Sequence, residues 1–351
     1  MTDTWPWASH FEADGLYFAT ATSGLPPRRT SAAMADVLED WRRGRLSAPD
    51  FDPVIAEARR LYARLTGVDP ATVAIGHQVS PLVGLVAASV PDDTEVLTVE
   101  GEFTSVTFPF AAHAARGVRV REVPGEELVD SIDERSGLVA VSAVQSATGA
   151  VADLDAVAAA ADRHGVDVLV DLTQAVGWLP LDASRFAYTV CGAYKWLLSP
   201  RGTAFLTVRP DRLDRLRPDH AGWYAGEEPW ESIYGLPLRL SGDARRFDVS
   251  PAWFCWVGTH ASLAFLDEIG PEACRRHALE VEAAFAAAAG LRPGPSAIRS
   301  LVADGRVAGL LAEAEVVASV RAGRLRLSFH VNNTVTDAER LGHLVRGHVT
   351  D

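Results

Sequence analysis

Apolar residues between about Asp36 and Leu65 recur at intervals of three and four, the spacing that lines one face of a helix. Gly44 and Pro49 interrupt that stretch. Further along, the period changes. Short β-branched runs at 96–99, 118–123, 138–144, 168–170, 188–190 and 204–208 are separated by alanine-rich stretches with helical spacing. The clearest of these predicts a helix from Leu154 to about Arg163, with Asp153 as its N-cap and Gly165 as its stop. Near-continuous apolar runs alternating with helices predict an α/β fold with a mainly parallel sheet covered by helices on both faces. Such a sheet binds its ligand at the carboxyl ends of its strands.

Past Pro210 the texture differs. Residues 217–256 hold Trp223, Tyr224, Trp230, Tyr234, Trp253 and Trp256 among Gly and Pro, a composition that predicts loops. From about Thr259 helical spacing returns, with an alanine-rich stretch near 280–289. A strand is expected at 325–329 and a helix beginning near Asp337. The chain therefore divides into an N-terminal segment (1–24), a large α/β domain (25–250) and a small C-terminal α+β domain (251–351). No internal repeat and no low-complexity linker breaks this organisation.

Composition narrows the function. The 351 residues carry a formal charge of −13 with no basic tract, so there is no electrostatic footprint for nucleic acid. No run approaches the ~18 apolar residues of a membrane span. The opening MTDTWPWASHFEADG is acidic and tryptophan-rich, without the basic and apolar regions of a signal peptide. Cys191, Cys255 and Cys274 are too few and scattered for a disulfide framework, and the first two read as small buried residues. The expectation is a soluble cytoplasmic protein. Hydrophobic residues make up 48%, enough to fill a real core. There is no HExxH pair, no Walker loop and no GxGxxG after a strand, and Cys274-x-x-His277 alone cannot build tetrahedral zinc. No metal site is expected.

One count changes the picture. Of 33 Lys+Arg, Lys195 is the single lysine. A coding bias towards Arg, Ala, Gly and Pro accounts for the general replacement, because arginine serves wherever a charge is enough. It cannot serve where an amine must lose its proton and attack a carbonyl. Lys195 is thus a candidate nucleophile. It lies 195 − 171 = 24 residues after Asp171, in VDLTQAVGWLPLDASRFAYTVCGAYKWLLSPRGTAFL. Asp171 closes an apolar run, which places its carboxylate at the sheet's carboxyl edge, and Gln174 follows. A strand-end aspartate can also be a plain helix cap, and a lysine is ordinarily a solvated charge. Together, an amine and a carboxylate at one sheet edge can serve pyridoxal 5'-phosphate (PLP). The lysine forms the imine and the carboxylate keeps the pyridine nitrogen protonated.

The D-x-x-Q strand end, the later K-W-L-x-x-P-x-G and the gap between them resemble the fold-type I PLP enzymes of aminotransferase class V. That group includes cysteine desulfurases, kynureninases and isopenicillin N epimerase-like proteins. The likeness runs from about Tyr17 to the C-terminus. It implies that Asp171 pairs with the ring nitrogen, Gln174 bonds the ring oxygen and Lys195 is the internal aldimine. In IGHQVSPLVG it implies that His77, Gln78 and Val79 cradle the phosphate at a helix N-terminus. It puts Phe103 of VEGEFTSV where the ring-stacking residue falls, and Ser146 of VQSATG where desulfurases carry an Asn near the ring oxygen. Before Lys195 the family often has a Ser and a His touching the phosphate, whereas here Gly192 and Tyr194 stand there. Ser250, in RRFDVSPAW, falls where a Thr binds phosphate across a homodimer interface. Arg326, in LRLSFHVNNT, falls where a guanidinium grips the substrate carboxylate.

Residues 275–326 contain no cysteine, so a persulfide-transferring desulfurase is not expected. The aromatics of 223–256 are expected partly as a loop core and partly as a pocket for a bulky substrate side chain. The resemblance implies a PLP enzyme acting on an α-amino acid or its conjugate. The first expectation is β-elimination of the C–S lyase type in specialised metabolism. Transamination, decarboxylation-coupled oxidative deamination and epimerisation are alternatives, because they draw on the same residues. A non-catalytic scaffold with this fold is a further alternative, opposed by retention of the sole lysine.

Overall fold

The computed structural model describes residues 5–351, so Met1–Thr4 of the expected N-terminal segment lie outside the described residues. The first part of the chain runs β1 (Leu16–Tyr17), α1 (Arg28–Arg42), α2 (Asp52–Thr66), β2 (Val73–Gly76), α3 (Val79–Ser89), β3 (Glu95–Val99), α4 (Thr104–Ala111) and β4 (Arg119–Val123). It continues with β5 (Ser136–Ser142), α5 (Leu154–His164), β6 (Asp167–Asp171), β7 (Tyr188–Gly192) and β8 (Ala204–Val208). The last part holds α6 (Trp253–Ile269), α7 (Pro271–Ala289), β9 (Ile298–Ala303), α8 (Val307–Glu313), β10 (Val316–Val317), β11 (Ser319–Arg321), β12 (Arg324–Ser328), α9 (Val335–Val345) and β13 (Val349–Thr350).

Local chemistry accounts for the clearest helix. Asp153 caps α5 by accepting from the Ala156 N–H at 2.9 Å, and Gly165 ends it at φ 67°, a conformation glycine adopts without strain. The central sheet has the order β2-β8-β7-β6-β5-β3-β4. Its strands read as continuous apolar runs because successive side chains enter opposite cores. Val139, Val141, Val168 and Val170 pack on the side of α2, α5 and α6, whereas Leu138, Ala140 and Leu169 pack on the side of α3 and α4.

The strands β4, β3, β5, β6 and β7 are mutually parallel, and β8 is antiparallel to both of its neighbours. The expectation of a parallel strand at 204–208 is corrected in direction: an apolar run fixes a strand's burial and says nothing about its polarity. The reversal matters, because Gly76, Ser142, Asp171 and Gly192 end their strands at the same edge where β8 begins. The turn from β7 into β8 therefore lies wholly at that edge and carries Lys195. A second correction concerns residues 253–256. They open α6, with Trp256 fully buried edge-on to Phe205, rather than extending the preceding loops.

The strands β11-β12-β9-β13 form a small antiparallel sheet covered by α7 and α9. The N-terminal stretch joins this unit. β1 pairs with β10, Phe18 enters its core, and the Ser328 backbone N–H donates to the Phe18 carbonyl at 2.9 Å. Among the described residues no helix is long and apolar enough to cross a membrane.

Candidate active site

A cavity open to solvent lies at the carboxyl edge of the central sheet. Asp171, Lys195, Gln174, Phe103, Ser146, Tyr194, His77, Gln78 and Val79 all line it. Nine of the eleven expected site residues thus converge. Arg326 adjoins the cavity through Ser146, and Ser250 does not line it.

Asp171 ends β6 and is buried. Its Oδ1 accepts from the Thr173 N–H at 2.8 Å, and the Thr173 hydroxyl accepts from the Gly192 N–H at 2.9 Å, which ties the ends of β6 and β7 together. Burial pushes the Asp171 carboxyl up to about 6. The Thr173 hydrogen bond and Lys195 oppose that rise, while the Glu102 carboxylate adds to it.

Lys195 is 5% exposed, and burial pulls its amine down to about 8. Asp171 opposes this shift, and Arg326 and Arg321 reinforce it. Nζ stands 5.3 Å from the centre of the Phe103 ring and 5.6 Å from that of Tyr194. Among the described residues it makes no ion pair within 4 Å, although it lines the same cavity as Asp171.

The backbone around Lys195 is gripped at three carbonyls. The Gly24 N–H donates to the Tyr194 carbonyl (2.8 Å), the Ser262 hydroxyl to that of Leu198 (2.8 Å), and the His330 Nε2–H to that of Trp196 (2.9 Å). Burial holds the His330 imidazole down to about 3, so it is neutral. The Trp196 indole donates to the Gln174 Oε1 at 2.7 Å. A Cβ on Gly24 would lie 2.1 Å from the Lys195 carbonyl oxygen, so only glycine permits this approach.

Gln174 is correspondingly fixed. Its Nε2 donates to the Ala21 carbonyl and to the Ser146 hydroxyl, both at 3.0 Å. Ser146 Oγ also accepts from Arg326 at 3.1 Å, which leaves its own proton to donate. Arg326, on β12, is 1% exposed. It donates to the Ser146 carbonyl (2.5 Å), Thr22 Oγ1 (2.7 Å) and Ser319 Oγ (3.2 Å). Burial and then Arg321 pull its pKa down to about 10, and among the described residues no carboxylate lies within 4 Å. Its charge thus meets only neutral hydrogen-bond partners among the described residues.

Phe103 is the N-cap of α4 and presents an exposed ring to the cavity. Its backbone N–H donates to the Glu102 carboxylate at 2.6 Å, and that carboxylate also accepts from the hydroxyl and N–H of Ser142 (2.6 and 2.7 Å). The turn 77–79 leads into α3, whose N-cap residue Gln78 makes no side-chain cap. Tyr194 is half-buried, and burial raises its phenol. Ser250 is exposed, two residues beyond Asp248, which is held in a buried ion pair with Arg59 at 2.6 Å.

Sequence reasoning missed Thr22, Glu102, Arg201 and Arg321. The aromatics of 223–256, expected partly as a loop core and partly as a substrate pocket, do not line this cavity. Trp253 stacks on Phe51, while Tyr224 and Trp230 both donate to Asp52. Cys255 is half-buried rather than buried.

The fold and the cavity define a class. The model of the aminotransferase class V family matches residues 20–302. An uncharacterized aminotransferase of Bacillus subtilis (strain 168), YcbU, is 30% identical over 79% of this chain and 79% of its own. The isopenicillin N epimerase of Streptomyces clavuligerus is 30% identical over 68% of this chain and 67% of its own. Among solved structures, the cystine C-S lyase C-DES in complex with its reaction product cysteine persulfide superposes with a TM-score of 0.86. It shares 22% identity over 96% of this chain and 98% of its own, a likeness of fold. The chain belongs to the class V aminotransferase family, and it is a PLP-dependent enzyme.

Proposed function

We propose that the cavity at the carboxyl edge binds PLP between Asp171 and Lys195 and processes an α-amino acid through proton transfer by Lys195. The residues fit the cofactor. The carboxylate and the amine line one cavity, and Phe103 presents an exposed ring to it. Bound there, PLP supplies an aldehyde for the amine and an electron-withdrawing ring.

The protein's own contributions follow from position. Asp171 would hold a proton at the pyridine nitrogen, Phe103 would lie against the ring, and the turn of His77, Gln78 and Val79 would take the phosphate. Both N–H groups of Gln174 are already engaged. The free proton of Ser146 would therefore be the donor to the ring oxygen, with Gln174 orienting it. Arg326 grips the substrate carboxylate, and Lys195 removes the Cα proton and returns it to the leaving group. Depression of its pKa makes a neutral amine available near neutral pH. We assign Ser250 to the phosphate of the other protomer of a homodimer, since it is exposed and does not line its own chain's cavity.

The reaction proposed is β-elimination of a cysteine-derived conjugate. One observation carries it: Lys195 is flanked by the rings of Phe103 and Tyr194, and Phe103 offers no second base for racemisation. Where a persulfide-forming cysteine would stand ahead of Arg326, β11 and β12 are joined by the turn Ala322–Gly323 alone. The test is to incubate S-substituted cysteines with the holoenzyme and follow pyruvate, amino acceptor product, enantiomer and CO₂ together. Stoichiometric pyruvate and thiol are expected. Enantiomer exchange without pyruvate would reassign the enzyme as an epimerase.

A further inference from the structure

We propose that Arg201 is the cation that neutralises the cofactor phosphate. This rests on the placement of PLP proposed above and adds a residue with no role so far. A phosphate at the His77–Val79 end meets the N-terminus of α3, an 11-residue helix with no side-chain cap. That end is worth only about half a positive charge. Pro81, at the third helical position, offers no N–H. Across the turn, Gly192 brings no hydroxyl: a Cβ there would sit 3.4 Å from the Tyr194 ring and 3.5 Å from Val79 Cγ2, in open contact with both. The phosphate end, as built by the residues assigned so far, holds mainly neutral donors against a dianion.

Arg201 supplies what is missing. It lies on the turn between Lys195 and β8 and lines the same cavity. Its guanidinium carbon stands 5.1 Å from the centre of the Tyr194 ring, and that ring borders Gly192. A ring face orients a guanidinium without consuming its N–H donors. Among the described residues no carboxylate lies within 4 Å of it. The planar fork is left free for two phosphate oxygens, a geometry lysine cannot reproduce.

The experiment compares the dissociation constants of PLP and of pyridoxal, which lacks the phosphate. Holoenzyme, Arg201→Ala and Arg201→Lys are each dialysed, checked by circular dichroism, and titrated by absorbance. Loss of a charge-assisted contact is expected to weaken PLP by roughly tenfold to a hundredfold in Arg201→Ala. Pyridoxal should bind that variant as it binds the unaltered protein, and Arg201→Lys should fall between. Unchanged PLP affinity in Arg201→Ala would overturn the proposal, and so would an equal loss for both ligands. A native protein that takes up neither ligand would instead refute the placement of the cofactor itself.

Discussion

Strand β6 begins with Asp167 and ends with Asp171, and the two carboxylates have opposite surroundings. At the amino edge, Arg212 donates to both oxygens of Asp167 at 2.9 Å, Arg215 lies at 3.3 Å and Arg209 at 3.9 Å. Every charge there has a counter-charge from the protein. At the carboxyl edge, Asp171 receives one backbone N–H and no cation in contact. Lys195, Arg201 and Arg326 gather around the same cavity with no carboxylate partner among the described residues. One end of the strand is finished as a surface. The other is left without counter-charges among the described residues, the pattern of a functional site.

The largest effect should come at Lys195. Lys195→Ala is expected to reduce turnover by at least ~10²–10⁴-fold, the contribution of a positioned acid–base group alone, and to abolish the visible absorbance of the holoenzyme. Retention of that absorbance would show that the amine is not the attachment point. Next comes Arg326→Ala, expected to raise KM for carboxylate substrates roughly tenfold to a hundredfold while the PLP spectrum persists. An unchanged KM would remove Arg326 from substrate binding.

The pH dependence sharpens the contrast. Because burial lowers the Lys195 amine to about 8, the neutral nucleophile grows with pH up to that point. The rate of PLP capture by the cofactor-free protein, followed by stopped-flow absorbance, should rise about tenfold per unit below pH 8 and level above it. A rate still climbing at pH 10 would mean an ordinary lysine. The smallest effect belongs to the amino edge. Asp167→Ala should lower stability by about 1 kcal/mol, read as a modest fall in Tm, with kcat/KM unchanged. A loss of activity there would erase the distinction between the two ends.

Much of this was legible in the chain. The run at 168–170 became β6, the helix expected from Leu154 was capped by Asp153, and Lys195 stood out by count alone. The direction of β8 was not legible, since polarity leaves no mark on a periodic pattern. β2 spans four residues, too short for periodicity to register, and Pro251 with its aromatic neighbours disguised the start of α6. Thr22 and Glu102 were missed for one cause. Thr22 meets Arg326 across 304 positions, and Glu102 meets Ser142 across 40. Each is an ordinary polar residue in its local sequence and gains a role only when segments distant in the chain meet at the sheet edge. Arg201 was hidden among 32 arginines, and only the fold separates it from those paired on the surface.

The central claim is that the incomplete carboxyl edge captures PLP through its one lysine. Borohydride reduction of the holoenzyme followed by peptide mass spectrometry tests it directly, because the sequence offers no second lysine to confuse the assignment. A single pyridoxyl-phosphate adduct on the peptide containing Lys195 is the predicted result. An adduct confined to the N-terminal amine, or none on a protein that still turns over amino acids, would contradict it.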